Sequence, residues 1–126
     1  MRILIVEPGK RPRAADIPHT LKAMQSVVGG LITAIYPWGD PVALVCDDEG
    51  LLKGYELNRQ VSRDVIIAGT FFICGLAEDN FTSLPDESME KYERRFRYPE
   101  IFVRTEEGVM AIPLKADGEE MEFYRK

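Results

Sequence analysis

The segment Val65-Ile66-Ile67-Ala68-Gly69-Thr70-Phe71-Phe72-Ile73-Cys74 is the most apolar stretch of the chain. It is far shorter than the ~20 apolar residues a helix needs to cross a bilayer. β-Branched and aromatic side chains dominate it, and these suit a pleated strand better than a helix. The stretch therefore predicts a long central strand over residues 64–75. Gly69 within it marks a bulge, a bend or a close approach by another backbone.

The remaining elements are read around that strand. Residues 3–6 form a short buried strand, Glu7-Pro8-Gly9-Lys10 a turn, and residues 10–16 an edge strand weakened by Pro12. Thr20 caps a helix over residues 20–28, with Leu21, Met24, Val27 and Val28 on one face. Gly29-Gly30 stops it. Residues 31–36 form a second strand expected at the centre of the sheet, broken by Pro37-Trp38-Gly39-Asp40-Pro41. Residues 42–57 read as a hairpin around Asp47-Asp48-Glu49-Gly50, and 58–63 as a polar connection. Ser83 is the expected cap of a second helix over about residues 84–97, with Asp86 in a capping-box position and Pro85 in the first turn. Met89, Tyr92 and Phe96 make its apolar stripe. Glu87–Lys91, Glu90–Arg94 and Glu93–Arg97 are acid-before-base pairs at i, i+4. Strands over 101–103 and 109–114, then a turn at Asp117-Gly118 into 121–124, complete the reading. The fold class is α+β: a curled, mainly antiparallel sheet with two helices. The 126 residues fit one domain, with residues 103–126 as a C-terminal β extension.

Composition narrows the chemistry. The net charge of −5 and pI near 4.9 argue against nucleic acid as a partner, because phosphates are met by excess Lys and Arg. Cys46 and Cys74 each sit in an apolar run and read as buried thiols in a reducing cytoplasm. The N-terminal apolar run is too short for a signal peptide, and no segment is long enough to span a membrane. One histidine, His19, and two separated cysteines do not make a usual zinc site. The acids at 47–49 lack the spacing of a calcium loop. There is no phosphate-binding glycine motif, no nucleophile elbow and no HExxH. No metal, cofactor or catalytic residue is therefore assigned.

The aromatic loop is the candidate contact site. Trp38 and Asp40 lie between Pro37 and Pro41, with Tyr36 just ahead of them, and the two prolines stiffen the segment. A loop tryptophan either anchors a ligand or partner, or folds back to seal the core. Asn58 and Arg59 supply polar groups to the same site if the loops meet; both are also ordinary turn residues. Arg94, Arg95 and Arg97 with Tyr92, Phe96 and Tyr98 form a basic, aromatic cluster. It reads either as a nucleic-acid surface or as helix-end cations with carboxylates at i−4.

An ordered set of segments resembles an uncharacterised domain-of-unknown-function family of Gram-positive bacteria, their phages and conjugative elements. The segments are Val6-Glu7-Pro8-Gly9, Val28-Gly29-Gly30, Tyr36-Pro37 with Asp40-Pro41-Val42-Ala43, Leu57-Asn58-Arg59, Ile67-Ala68-Gly69-Thr70-Phe71, Phe81-Thr82-Ser83-Leu84 and Tyr98-Pro99-Glu100. They span about residues 1–102. The resemblance implies a setting, the small accessory proteins of mobile elements, and carries over no catalytic residue. The leading expectation is a non-catalytic module that binds an unknown protein or forms a homo-oligomer. The alternatives are a small-molecule or nucleotide-sequestering protein, and an enzyme of unrecognised type.

Overall fold

The computed structural model describes residues 1–115; the turn and strand expected beyond residue 116 lie outside the described residues. Along the chain come β1 (Arg2–Val6), β2 (Arg13–Asp16), α1 (Leu21–Val28), β3 (Ile32–Ile35) and β4 (Val42–Asp47). They are followed by β5 (Leu57–Ser62), β6 (Val65–Ala68), β7 (Phe71–Ala77), β8 (Asn80–Thr82), α2 (Asp86–Arg95), β9 (Glu100–Thr105) and β10 (Gly108–Pro113). The main sheet has the order β2-β1-β7-β4-β3, with β8 beside β7; β5–β6 and β9–β10 form two separate ribbons. These pairings are all antiparallel. The fold is α+β, as expected.

The sheet is covered on both faces, which is why β1, β4 and β7 are apolar at nearly every position. Side chains alternate between faces along a strand. Ile3, Ile5, Ala43, Val45, Phe72 and Cys74 pack under α1, through Met24 and Val28. Leu4, Val6, Leu44, Cys46, Phe71 and Ile73 pack under α2 and the β5–β6 ribbon, through Tyr92, Phe96, Val61 and Ile67. Among the described residues, no helix is long and apolar enough to cross a membrane.

Helix α1 follows its local signals. Thr20 Oγ1 accepts the Ala23 N–H at 3.1 Å, and Gly29 closes the helix with φ +90°. Helix α2 starts later than expected. Leu84 precedes a proline and so is pushed out of helical conformation. Its N–H donates to Arg2 O, and Ser83 Oγ accepts the Arg2 N–H, so Ser83 ties the chain to β1 instead of capping. Pro85 occupies the cap position without a side-chain hydrogen bond. Glu90–Arg94 and Glu93–Arg97 pair as expected, whereas Lys91 reaches across to Asp40.

Four strand assignments are corrected. The apolar stretch 64–75 is two strands, because Gly69 takes φ +85° and turns the chain. Only β7 is central; β6 joins the ribbon with β5. The hairpin over 42–57 does not form, since both edges of β4 are taken by β3 and β7. Asp47 steers the chain away: its carboxylate accepts the Glu49 N–H at 2.8 Å and Lys53 Nζ at 2.7 Å. Residues 58–63 are mostly strand β5 rather than a connection. The strand after α1, expected at the centre, lies at the sheet edge as β3.

Cys46 and Cys74 belong to opposite faces of the sheet and cannot bridge. Burial, then the nearby Asp47 and Asp48, pushes the Cys46 thiol up to about 11; burial pushes Cys74 up to about 12. Thiolate is the reactive form. Both thiols are therefore expected to resist an aromatic disulfide reagent at pH 8 until denaturant is added, after which both react. Rapid modification of either in the native protein would contradict this packing.

Candidate functional site

The site is built on a buried polar pair. Strand β5 changes register between Leu57 and Arg59 and again between Gln60 and Ser62. Such bulges add a residue on one strand and re-aim side chains. Here they let the consecutive residues Asn58 and Arg59 both be fully buried. Asn58 Nδ2 donates to Val6 O at 2.9 Å and to Gly69 O at 2.8 Å, joining the end of β1 to the β6–β7 turn. Arg59 Nη1 donates to Asn58 O and Oδ1, Nη2 to Lys10 O and Phe96 O, and Nε to Phe96 O. A guanidinium has five N–H donors, and Arg59 spends all five inside the protein. Burial pulls its pKa down to about 10, against the field of Glu100; the group stays cationic at neutral pH.

The clamped turns wall a cavity of about 320 Å³. Val28 and Pro8 supply apolar surface, and Gly69 and Thr70 a backbone wall. Tyr55 lies over Gly69: a Cβ at residue 69 would stand 2.5 Å from the Tyr55 ring. The same phenol donates to Gly29 O at the end of α1, and Gly69 N–H donates to Glu56 O. Three charged residues complete the lining, Glu7, Lys10 and Glu56. Glu7 pairs with Arg13 Nε at 3.3 Å and with Lys10 at 3.8 Å. Glu56 has no ion-pair partner among the described residues. The C-terminal end of α1 adds partial negative charge. Two carboxylates against the one lysine, Lys10, with Glu56 the carboxylate left without an ion-pair partner, a helix C-terminus and an aromatic ring together suit a cation.

The other expected contact residues lie elsewhere. Trp38 is half-buried; its Nε1 donates to Val61 O at 3.0 Å, and its ring stands 4.6 Å from Tyr92 and 5.9 Å from Phe96. Arg95 stacks on it at 5.5 Å and donates to the same Val61 carbonyl. Asp40 Oδ2 accepts Lys91 Nζ at 2.6 Å and the Tyr92 hydroxyl at 2.7 Å. The loop is thereby tied to α2, and of its three candidate contact residues only Tyr36 is exposed. Trp38 and Arg59 both meet α2 at Phe96, yet neither Asn58 nor Arg59 is exposed beside the aromatic loop.

Tyr55, Glu56 and Thr70 went unnoticed as site residues in the sequence. A signal was present: Glu7-Pro8, Val28, Asn58 and Gly69-Thr70 all belong to segments carrying the family resemblance, and folding brings them to one place.

These features define a small α+β domain whose antiparallel sheet is covered by α1 on one face and by α2 with the β5–β6 ribbon on the other. Residues 1–97 match the family described as Domain of unknown function (DUF3846), and the chain belongs to that family. The match ends just after α2, so β9 and β10 fall outside it. No curated protein and no solved structure matches the chain.

Replacing Asn58 with Ala strands two buried carbonyls and one Arg59 N–H. The expected loss is about 3 kcal/mol of unfolding free energy by denaturant titration; a loss within error would show that the clamp is not limiting. The Asp40 carboxyl is held below its ordinary value by hydrogen bonds from Lys91 and Tyr92. A lowered pKa contributes stability above 3.8 that is lost as the pH falls through the folded value. In Tyr92→Phe, the Asp40 carboxyl carbon followed by NMR is expected to titrate closer to its ordinary value.

Proposed function

We propose that the chain is a non-catalytic, cytoplasmic binding module, an accessory protein of a mobile element or phage, that takes a cationic group of a protein partner into the Tyr55–Glu56 cavity. The observation that carries this reading is the convergence on that cavity of segments far apart in sequence, held by the Asn58–Arg59 clamp. The carboxylates of Glu7 and Glu56 and the face or edge of Tyr55 suit a lysine or arginine side chain. A nucleotide-sequestering reading has less to stand on, because Arg59 has no donor left for a phosphate. The mobile-element setting rests on the resemblance described above.

The test is an amide chemical-shift titration with n-butylammonium and ethylguanidinium, and with inorganic phosphate as the contrasting anion. The cations are expected to shift Glu7, Val28, Tyr55 and Thr70, and phosphate is not. Loss of one charge-assisted contact in Glu56→Gln is expected to weaken cation binding about tenfold. Cations that move no amide around the cavity, or bind Glu56→Gln equally well, would sink the reading.

A further inference from the structure

The two edges of the main sheet are treated differently. Strand β2 carries Arg13 and Asp16 and follows Pro12; charge and proline at an edge discourage pairing with another strand. Strand β3, at the other edge, reads Ile-Thr-Ala-Ile without a charged residue. It is flanked by Leu31, 63% exposed, and by the exposed Tyr36. A cavity of about 390 Å³ beside it is shared by Thr33 with Leu51 and Leu52, the latter 86% exposed.

The outward backbone groups follow from the ladder. The Asp48 N–H donates to Leu31 O at 2.9 Å. N–H and C=O groups alternate sides along an antiparallel strand, so Leu31, Thr33 and Ile35 turn theirs to β4. Ile32 and Ala34 turn theirs outward, where β3 has no strand neighbour among the described residues.

We propose that this edge is a self-association surface, on which a second copy of the chain pairs β3 with β3 about a two-fold axis at Thr33. In that register Ile32 stands opposite Ala34 of the second copy, and the reverse pair follows by symmetry. Every outward N–H and C=O of the two strands is then hydrogen-bonded. Moving the register by two residues leaves one outward residue of each strand without a strand partner. Thr33 faces its own copy in a non-hydrogen-bonded pair, a cross-strand pairing that threonine favours. Leu31 meets Ile35 of the second copy on the side of Leu51 and Leu52, so the exposed apolar residues are extended into one patch. No like charges oppose one another along the strand, which is why a second copy fits this edge. The surface is separate from the Tyr55–Glu56 cavity and does not depend on its reading.

The test combines mass and cross-linking on the full chain. Light scattering on a sizing column is expected to give twice 14.3 kDa for the wild type. Leu31→Lys, a change at an exposed position, is expected to give a monomer with unchanged circular dichroism. A non-hydrogen-bonded antiparallel pair brings two Cβ atoms within disulfide reach, so oxidised Thr33→Cys is expected to run as a covalent dimer. Ile35→Cys, which faces Leu31 in this register, is not. Cys46 stands opposite residue 33 across the β3–β4 ladder, so both cysteine substitutions are made in a Cys46→Ala background, and the buried Cys74 serves as the control. A monomeric wild type, a dimer that survives Leu31→Lys, or cross-linking of Ile35→Cys in preference to Thr33→Cys would overturn the proposal.

Discussion

The fold turns on the burial of one guanidinium. Moving a cation out of water is costly, and the cost is met only where its donors find acceptors. Arg59 finds them on three separate pieces of chain: its neighbour Asn58, the β1–β2 turn at Lys10, and the end of α2 at Phe96. Phe96 is the C-cap of α2, so its carbonyl is at the negative end of a helix dipole. The acceptors in hydrogen-bond range are all neutral oxygens; Glu100 contributes through its field alone. Arg59 therefore selects a mutual arrangement of β1, β5 and α2. A lysine in its place has three donors instead of a planar fork of five and cannot satisfy the same carbonyls.

The elements visible in the sequence are those whose signals are local. Thr20 and Gly29-Gly30 bound α1 without tertiary help, and the apolar runs at 3–6 and 42–46 mark strands covered on both faces. The β9–β10 hairpin shows through its Thr105-Glu106-Glu107-Gly108 turn. Strand β5 was hidden because Asn58, Arg59 and Gln60 look like a solvated connection. Polarity alone does not separate side chains bonded to water from side chains bonded to buried carbonyls, and the two bulges erase the alternation that marks a strand. Gly69 was recognised as an interruption. Its sense, a turn rather than a bulge, depends on a positive φ and on the Tyr55 ring that lies against it, and Tyr55 is set by tertiary packing.

The site was legible in fragments. Trp38 and Asp40 stood out by residue type, and the structure spends both on holding their loop to α2. Val61 explains part of this. It sits where β5 changes register, and its freed carbonyl accepts from both Trp38 and Arg95. Trp38 and Arg95 stand out in the sequence as an aromatic and a cation, but their shared acceptor does not, because a bulge is a property of two paired strands. Glu7, Val28, Asn58 and Gly69 carried the family resemblance as isolated fragments, and only topology puts them side by side.

The hairpin beyond the matched span also bears on the buried cation. Glu100 opens β9 and accepts the Gln60 N–H of β5 at 2.8 Å. Burial raises its carboxyl above the ordinary value; the Gln60 hydrogen bond and the fields of Arg59 and Arg95 oppose that rise without cancelling it. A carboxyl so raised contributes most below its unfolded pKa of 4.5, and that contribution is lost as the pH rises through the folded value. At neutral pH the ionised group is thus kept at some cost. What offsets it is an acceptor for an edge N–H that would otherwise be left without a protein partner, and a negative field beside Arg59. The compensation runs across the end of the family match: residues 1–97 bury the positive charge, and residue 100 supplies the carboxylate that eases it.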